Sequence, residues 1–492
     1  MHRYEFKIDP ITRIEGHLGI EVLAEKNQVI EAKTSGTLFR GLELILKNRD
    51  PRDGPRLSQR ICGVCPASHA KASSLALDKA VGVSEKIPKN AKIIRALILG
   101  ANFLQSHILH FYHLAILDYV DISKVVGKIA PFSPSYKGDY RLPPKLNQDL
   151  SQHYLKALEV RREAHKMLAI FGGKMPHNIG IIAGGVTEKP TEEKITNFLW
   201  RLNNIKEFIE NIYLPDILVL AKYYNDYFRL GRGYQRFLAY GGLNLGEEML
   251  FERGVLEKDK LLGLCLEEIT ENLKYAWYEE ENNSLFNSQT KPSLDKKQAY
   301  SFIKSPRYQG KPFQVGPLAR ILINYRKGKP KTKKLVDELL AELNLELKDF
   351  SSILGRHLAR ALEAKLVVEA MAEAVLKLNP DEPVASSYTI PEEAQAEGLT
   401  EAPRGSLGHW IVIKEKKIKN YQVITPTAWN ASPKDEKENP GPMEKALIGL
   451  KIKDKENPFE VVRLVRSFDP CLACAVHLIT PKGKKIGEFR VA

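Results

Sequence analysis

Two Cys-x-x-Cys pairs near opposite ends of the chain constrain its fold more than any other feature. Cys62 and Cys65 form one pair, Cys471 and Cys474 the other, and Cys265 stands alone between them. Two intervening residues place both thiolates on one side of a turn, where they can share a soft metal such as zinc, nickel or an iron centre. Taken singly, the first pair reads as a redox dithiol, since a helix expected over 67–77 would lower a thiol pKa, and the second as half of a zinc ribbon. Taken together they argue otherwise. Cys65 and Cys471 are 406 positions apart, whereas the halves of a ribbon are separated by roughly 15–20 residues. Loop closure grows costlier only slowly with length, so one site joining both ends of the chain is permitted and would be central to it. A histidine follows each pair, His69 after Cys65 and His477 after Cys474.

The 492 residues, 43% hydrophobic and 27% charged, have globular composition and suffice for a deeply enclosed site. The formal charge is +14, but lysines are interleaved with acids, and the short basic runs at 329–334 and 414–419 lack the alternating aromatics of a nucleic-acid platform. Solvated faces are therefore expected, and no nucleic-acid partner. The opening residues carry no apolar stretch behind a basic cap, and no run of about 18 uncharged apolar residues occurs, so neither a signal peptide nor a transmembrane segment is expected.

Alternating hydrophobicity predicts a hairpin around Asn27 and a second over 409–425. Apolar residues at three- and four-residue spacing predict helices over 91–120, 150–171, 191–230 and 345–378. Thr191, followed by Glu192 and Glu193, suits a helix start, and Pro215 should kink or break the long segment. The fold class expected is mainly α, a large helical core with small peripheral β-hairpins and sheets. Cys265, in an amphipathic stretch, is expected as a small buried hydrophobe.

Several segments together resemble nickel–iron hydrogenase large subunits. RICGVCPASH (60–69) and DPCLACAVH (469–477) are similar to the two cysteine signatures of that family. RIEGHL (13–18), FRGLELILKNRDPRD, HILHFYHLAILDYVD, GGKMPH, EAPRGSLGHW and PTAWNASPKD match in order along essentially the whole chain. The resemblance implies one domain over 1–477, followed by a peptide, 478–492, that an endopeptidase removes once nickel is loaded.

It also implies a site. Cys62 and Cys471 would bind nickel terminally, and Cys65 and Cys474 would bridge it to an iron carrying carbon monoxide and cyanide. Hydrogen would be split heterolytically there, in the uptake direction, with Glu15 taking the proton from the thiolate of Cys471. Arg404, held by Asp469, would cover the open coordination position and donate to one cyanide; Thr427 would donate to the other, with Pro426 beside it in the cofactor's binding site. Glu43, His477 and a backbone carbonyl near Val423 would hold a magnesium ion. His69 is expected to partner a bridging thiolate rather than to bind metal. His107, His110 and His113, three apart on one helix, are expected in packing and hydrogen-bonding roles.

With four of five cysteines committed, the chain has too few for an iron–sulfur cluster, which implies a cluster-bearing small subunit across a large interface. Nickel-insertion proteins are further partners the resemblance implies. Many respiratory members have Asp-His where this chain has Ser106-His107, and with Pro66 this points to the cytoplasmic branch; a membrane-associated or periplasmic location, carried by the small subunit, is the alternative. Retention of all four cysteines argues against the metal-free relatives of the respiratory quinone-binding type. A hydrogen sensor with the same site remains the functional alternative, and a structural zinc protein is the reading that metal analysis would separate.

Overall fold

Helix α1 (Pro66–Ala80) begins directly at Cys65, and its small residues Ala67, Ala70, Ala72 and Ala76 are all fully buried. A computed structural model describes residues 3–127, 138–245, 249–279 and 284–475. Helix α2 (Lys89–Ile108) is buried on nearly every face, and its buried polar residues Asn102, Gln105 and His107 are hydrogen-bonded. It packs against α3 (Pro144–Gly172) and the similarly buried α7 (Ile353–Val375). Gly100 makes room for Met371 at the α2–α7 crossing, since a Cβ there would lie 2.5 Å from Met371 Sδ and force that side chain to shift. Ser352 caps α7 by accepting from Gly355 N at 3.0 Å, so the helix starts later than the periodicity from 345 suggests; Leu347–Phe350 is a separate short turn.

Thr191 caps α4 (Glu192–Phe208) as predicted, accepting from Lys194 N. Pro215 does not break the segment. A wider turn, Ile209–Tyr213, precedes α5 (Leu214–Tyr223), so Pro215 falls in a first helical turn, where its missing N–H has no partner to lose. Helix α6 is Pro317–Arg326.

The predicted hairpins are present, each with one strand more. Strands β1 (Arg3–Ile8), β2 (Leu18–Glu25) and β3 (Gln28–Gly36) form one antiparallel sheet. A sheet the periodicity did not reveal comprises β4 (Arg236–Asn244), β5 (Met249–Glu257) and β6 (Lys260–Leu262). Strands β7 (Glu393–Ala402), β8 (Gly405–Lys414) and β9 (Lys417–Ile424) form a third. This last sheet corrects the expectation of peripheral sheets. Most of β8 is buried, and β7 lies so close on α1 that a Cβ at Gly398 would fall 2.0 Å from Ala72 O. Cys265 is a second correction. It is exposed in an extended segment after β6, its Sγ donating to Glu267 at 3.1 Å, because the residues before it continue a strand rather than a helix.

Candidate metal centre

The sulfurs of Cys62, Cys65 and Cys471 all lie within 4.8 Å of one another and are buried. Cys62 Sγ and Cys471 Sγ are 3.3 Å apart. Cys474 enters through the backbone of the short helix Leu472–Ala475, and its side chain lies outside the described atoms. His477 and the tail after it lie outside the described residues.

Local chemistry explains why these loops sit where they do. Backbone amides of Val64 and Cys65 donate to Cys62 Sγ at 3.2 and 3.4 Å, which favours a thiolate. Asn102 and Gln105 of α2 both donate to Val64 O, at 2.9 and 2.6 Å, and Arg40 donates to the carbonyls of Arg60 and Ile61. The second pair is held by the Glu15 loop: Leu472 N donates to Glu15 O at 2.7 Å. Gly16, with φ +80°, makes that contact possible, since a Cβ there would lie 2.7 Å from Leu472 Cβ.

Glu15 Oε2 lies 3.1 Å from Cys471 Sγ and accepts from Ala473 N at 2.9 Å. Burial, then the negative charge of Cys62, raises its pKa above the usual carboxylate range. Opposite, Arg404 is buried in the two-residue turn Pro403–Arg404 between β7 and β8. Its Nε donates to Asp469 O at 3.0 Å, and its Nη2 pairs with Asp469 Oδ1 at 2.9 Å at an angle too bent for a hydrogen bond. Burial opposes its charge, but Asp469 and the three cysteines outweigh it and hold the guanidinium protonated. Thr425 caps the short helix α8 (Pro426–Asn430), in which Pro426 is buried and Thr427 Oγ1 accepts from Cys471 N at 2.9 Å. That leaves the Thr427 hydroxyl proton to be donated elsewhere.

His69 Nδ1 lies 3.1 Å from His409 Nε2, and His409 Nδ1 lies 2.8 Å from Tyr421 OH, which donates to Ser73. Burial lowers the His69 pKa to about 4, so the ring is neutral. The three helical histidines diverge: His107 pairs with Glu363, His110 with Arg466 O, and His113 packs edge-on against Tyr154.

A second polar pocket surrounds Glu43. Its Oε1 accepts from Val423 N at 2.9 Å, and its Oε2 contacts Thr290 and Lys304 Nζ. Lys304 also pairs with buried Glu271 at 3.3 Å, whose buried Oε1 has no hydrogen-bond partner among the described residues. Two carboxylates against one ammonium, with an orphaned oxygen, fit one further hard cation. Lys304, Glu271, Thr290 and Gln422, which accepts from Lys304 Nζ at 2.8 Å, escaped the sequence reading, because nothing in their spacing marks them.

Buried soft donors set close together, faced by an arginine and a carboxylate, fit a nickel–iron pair. The family described as nickel-dependent hydrogenase matches residues 40–129 and 124–477, and a family described as HoxL-like matches 5–35. The chain is 41% identical to the periplasmic [NiFeSe] hydrogenase large subunit of Desulfomicrobium baculatum, over 97% of this chain and 95% of that one. It is 35% identical to the hydrogenase-1 large chain of Escherichia coli K12, over 98% and 96%. The solved Ni-Fe-Se hydrogenase of D. vulgaris Hildenborough in its reduced state superposes with a TM-score of 0.91 at 42% identity, covering 97% of this chain and all of that one. The chain belongs to the nickel-dependent hydrogenases, as a large subunit that cleaves molecular hydrogen.

Proposed function

We propose that the chain oxidises hydrogen in the uptake direction, with Cys62, Cys65, Cys471 and Cys474 as the ligands of nickel and iron and Glu15 as the first proton acceptor. The contact of Glu15 with Cys471 Sγ, at 3.1 Å, carries this reading. When bound, nickel and iron would supply the Lewis acidity and redox capacity that heterolysis of hydrogen needs. A proton on Cys471 Sγ would lie within direct reach of the Glu15 carboxylate. Glu15 is mostly buried but keeps some exposure, and its raised pKa suits a group that accepts a proton and releases it outward. Its oxygen is kept in place by Ala473 N.

Arg404 and Thr427 supply donors beside the cysteines, suited to cyanide on the iron, with carbon monoxide as its third diatomic ligand; Pro426 keeps that wall apolar. His69, backed by His409, would steady a bridging thiolate. Glu43, the Val423 backbone and His477 would hold magnesium, with Lys304 and Glu271 around it. The family match ends at residue 477, which supports removal of 478–492 by a maturation endopeptidase after nickel insertion. All four paired positions are cysteine here, so sulfur would ligate the metals.

The relatives are named as large subunits or chains, which supports an iron–sulfur small subunit as electron acceptor. Among the described residues no helix is long and apolar enough to cross a membrane. One relative is named periplasmic and another quinone-reactive, which favours export with the small subunit over the cytoplasmic placement expected from the sequence.

The test is Glu15→Gln in the complex with its small subunit. Nickel and iron content should be unchanged, while exchange of hydrogen with solvent deuterons falls by about a hundredfold or more. Unchanged exchange removes Glu15 from the proton route, and absence of nickel from the wild type removes the metal assignment.

A further inference from the structure

Arg320, in α6, is fully buried, and each of its five N–H groups has an acceptor. Nε and Nη2 grip Glu363 at 2.8 and 2.6 Å, the two-point geometry of a guanidinium on a carboxylate. Nη1 donates to Glu401 Oε2 at 2.5 Å. The remaining two donors meet main-chain carbonyls, Nη1 to Ala402 O at 2.9 Å and Nη2 to Pro403 O at 2.8 Å. These are the two residues immediately before Arg404.

The same hub reaches the other side of Arg404. Glu363 Oε1 is 2.8 Å from His107 Nε2, and the neighbouring Ser106 lies 3.4 Å from Arg404 Nη1. Glu401 is fixed in turn by Tyr240 N at 2.7 Å and Ser406 Oγ at 2.8 Å. Phe103 and Phe251 lie against the guanidinium, each ring centre 5.2 Å away, and keep the group dry. Behind the turn, Gly316 and Gly405 let the backbones of the 315–316 segment and the Arg404 turn touch: a Cβ on Gly316 would lie 2.8 Å from Arg404 O.

We propose that Arg320 is the positioning residue of the Arg404 turn, setting where the Arg404 guanidinium stands over the cysteine sulfurs by holding the carbonyls of Ala402 and Pro403 and, through Glu363, the α2 segment at Ser106-His107. This rests on the reading of Arg404 as the donor above the metal pair. A lysine at 320 keeps one charge but has three donors in place of five and no plane, so it cannot hold both carboxylates and both carbonyls. The turn then relaxes, and a misplacement of about 1 Å costs a reacting site roughly tenfold to hundredfold.

The experiment compares Arg320→Lys, Glu401→Gln and Arg404→Lys in the complex with the small subunit. Nickel content, kcat and KM for hydrogen, and the electron paramagnetic resonance of oxidised nickel are measured for each. Arg320→Lys is expected to keep its nickel and its KM within about twofold, to lose kcat by about tenfold or more, and to shift the nickel resonance in the direction of Arg404→Lys. Glu401→Gln, which keeps size and the Tyr240 contact, should show a smaller change of the same kind. Wild-type kcat and resonance in Arg320→Lys overturn the proposal. So does loss of nickel in Arg320→Lys combined with wild-type behaviour in Glu401→Gln, which marks a folding role only. Full activity in Arg404→Lys overturns instead the reading of Arg404 on which the proposal rests.

Discussion

Cys62 Sγ and Cys471 Sγ, 409 positions apart in the chain, lie 3.3 Å from each other in the buried centre of the molecule. Unbridged sulfurs at that distance need only a small movement to reach the roughly 2.05 Å of a disulfide. Bound metal would hold them as separate thiolates. Stripping the metals and then exposing the protein to mild oxidant should therefore remove two alkylatable thiols, and a peptide linking residues 62 and 471 should be found by mass spectrometry. The metal-loaded protein should resist this; equal oxidation with and without metal would show that these sulfurs do not bind it.

Gly405 has φ +139°, and a Cβ there would come within 2.5 Å of Val315 Cγ2 and 2.8 Å of Gly316 N. The second contact is with backbone, which cannot step aside. Gly405→Ala should lower stability by about 1–3 kcal/mol, from overpacking and strain together, and should reduce hydrogen oxidation further by moving Arg404. Thermal melting and steady-state rates test the two effects separately. An unaltered melting temperature would mean that the turn is looser than its contacts imply.

His69, fully buried, has its pKa lowered to about 4 by burial, which outweighs the opposing negative charge of Cys62, with the charge of Arg40 adding a smaller lowering effect. The unfolded chain takes up a proton on this ring as pH falls through about 6.5, and the folded protein does not until about pH 4. The stability this ring contributes is thus complete above pH 6.5 and is lost progressively down to about pH 4. His113 and His165, partly buried, are lowered to about 4 as well and act in the same direction. Melting temperature should fall across that window, and His69→Gln should shallow the slope. A melting temperature flat from pH 6.5 to 4 would contradict this.

Among the described residues, the carboxylates of Glu43 and Glu271 share the one ammonium of Lys304 in a buried pocket. Prolonged chelation should lower the melting temperature of the complex, and magnesium should restore it by mass action. Glu43→Gln should abolish the restoration while leaving nickel in place. If chelation changes nothing in the wild type, the second carboxylate is neutralised by protonation of Glu271, whose pKa burial already raises.

The cysteine pairs, both hairpins, the cap at Thr191 and most helices were legible because each depends on neighbours in the chain: a two-residue spacing, alternation, a three- to four-residue period, a side chain reaching its own helix end. The helical breaks were less legible. Pro215 reads as a kink or a break, and the wider turn before it absorbs the missing N–H without ending the helical segment. The sheet of β4, β5 and β6 escaped because most of β4 is buried, so it has no alternation to detect. Cys265 misled because a short apolar run does not distinguish strand from helix.

What the residues settled by themselves was chemical: which side chains could bind soft metals, and that motifs spread over the whole chain belong to one family. Only the tertiary structure could decide which groups share a space. It brought Glu15 to Cys471, set Lys304 between two carboxylates, and made Arg320 the support of the Arg404 turn. Such groupings leave no trace in spacing, because burying a charge selects partners by distance in space, and residues hundreds of positions apart meet that condition as readily as neighbours do.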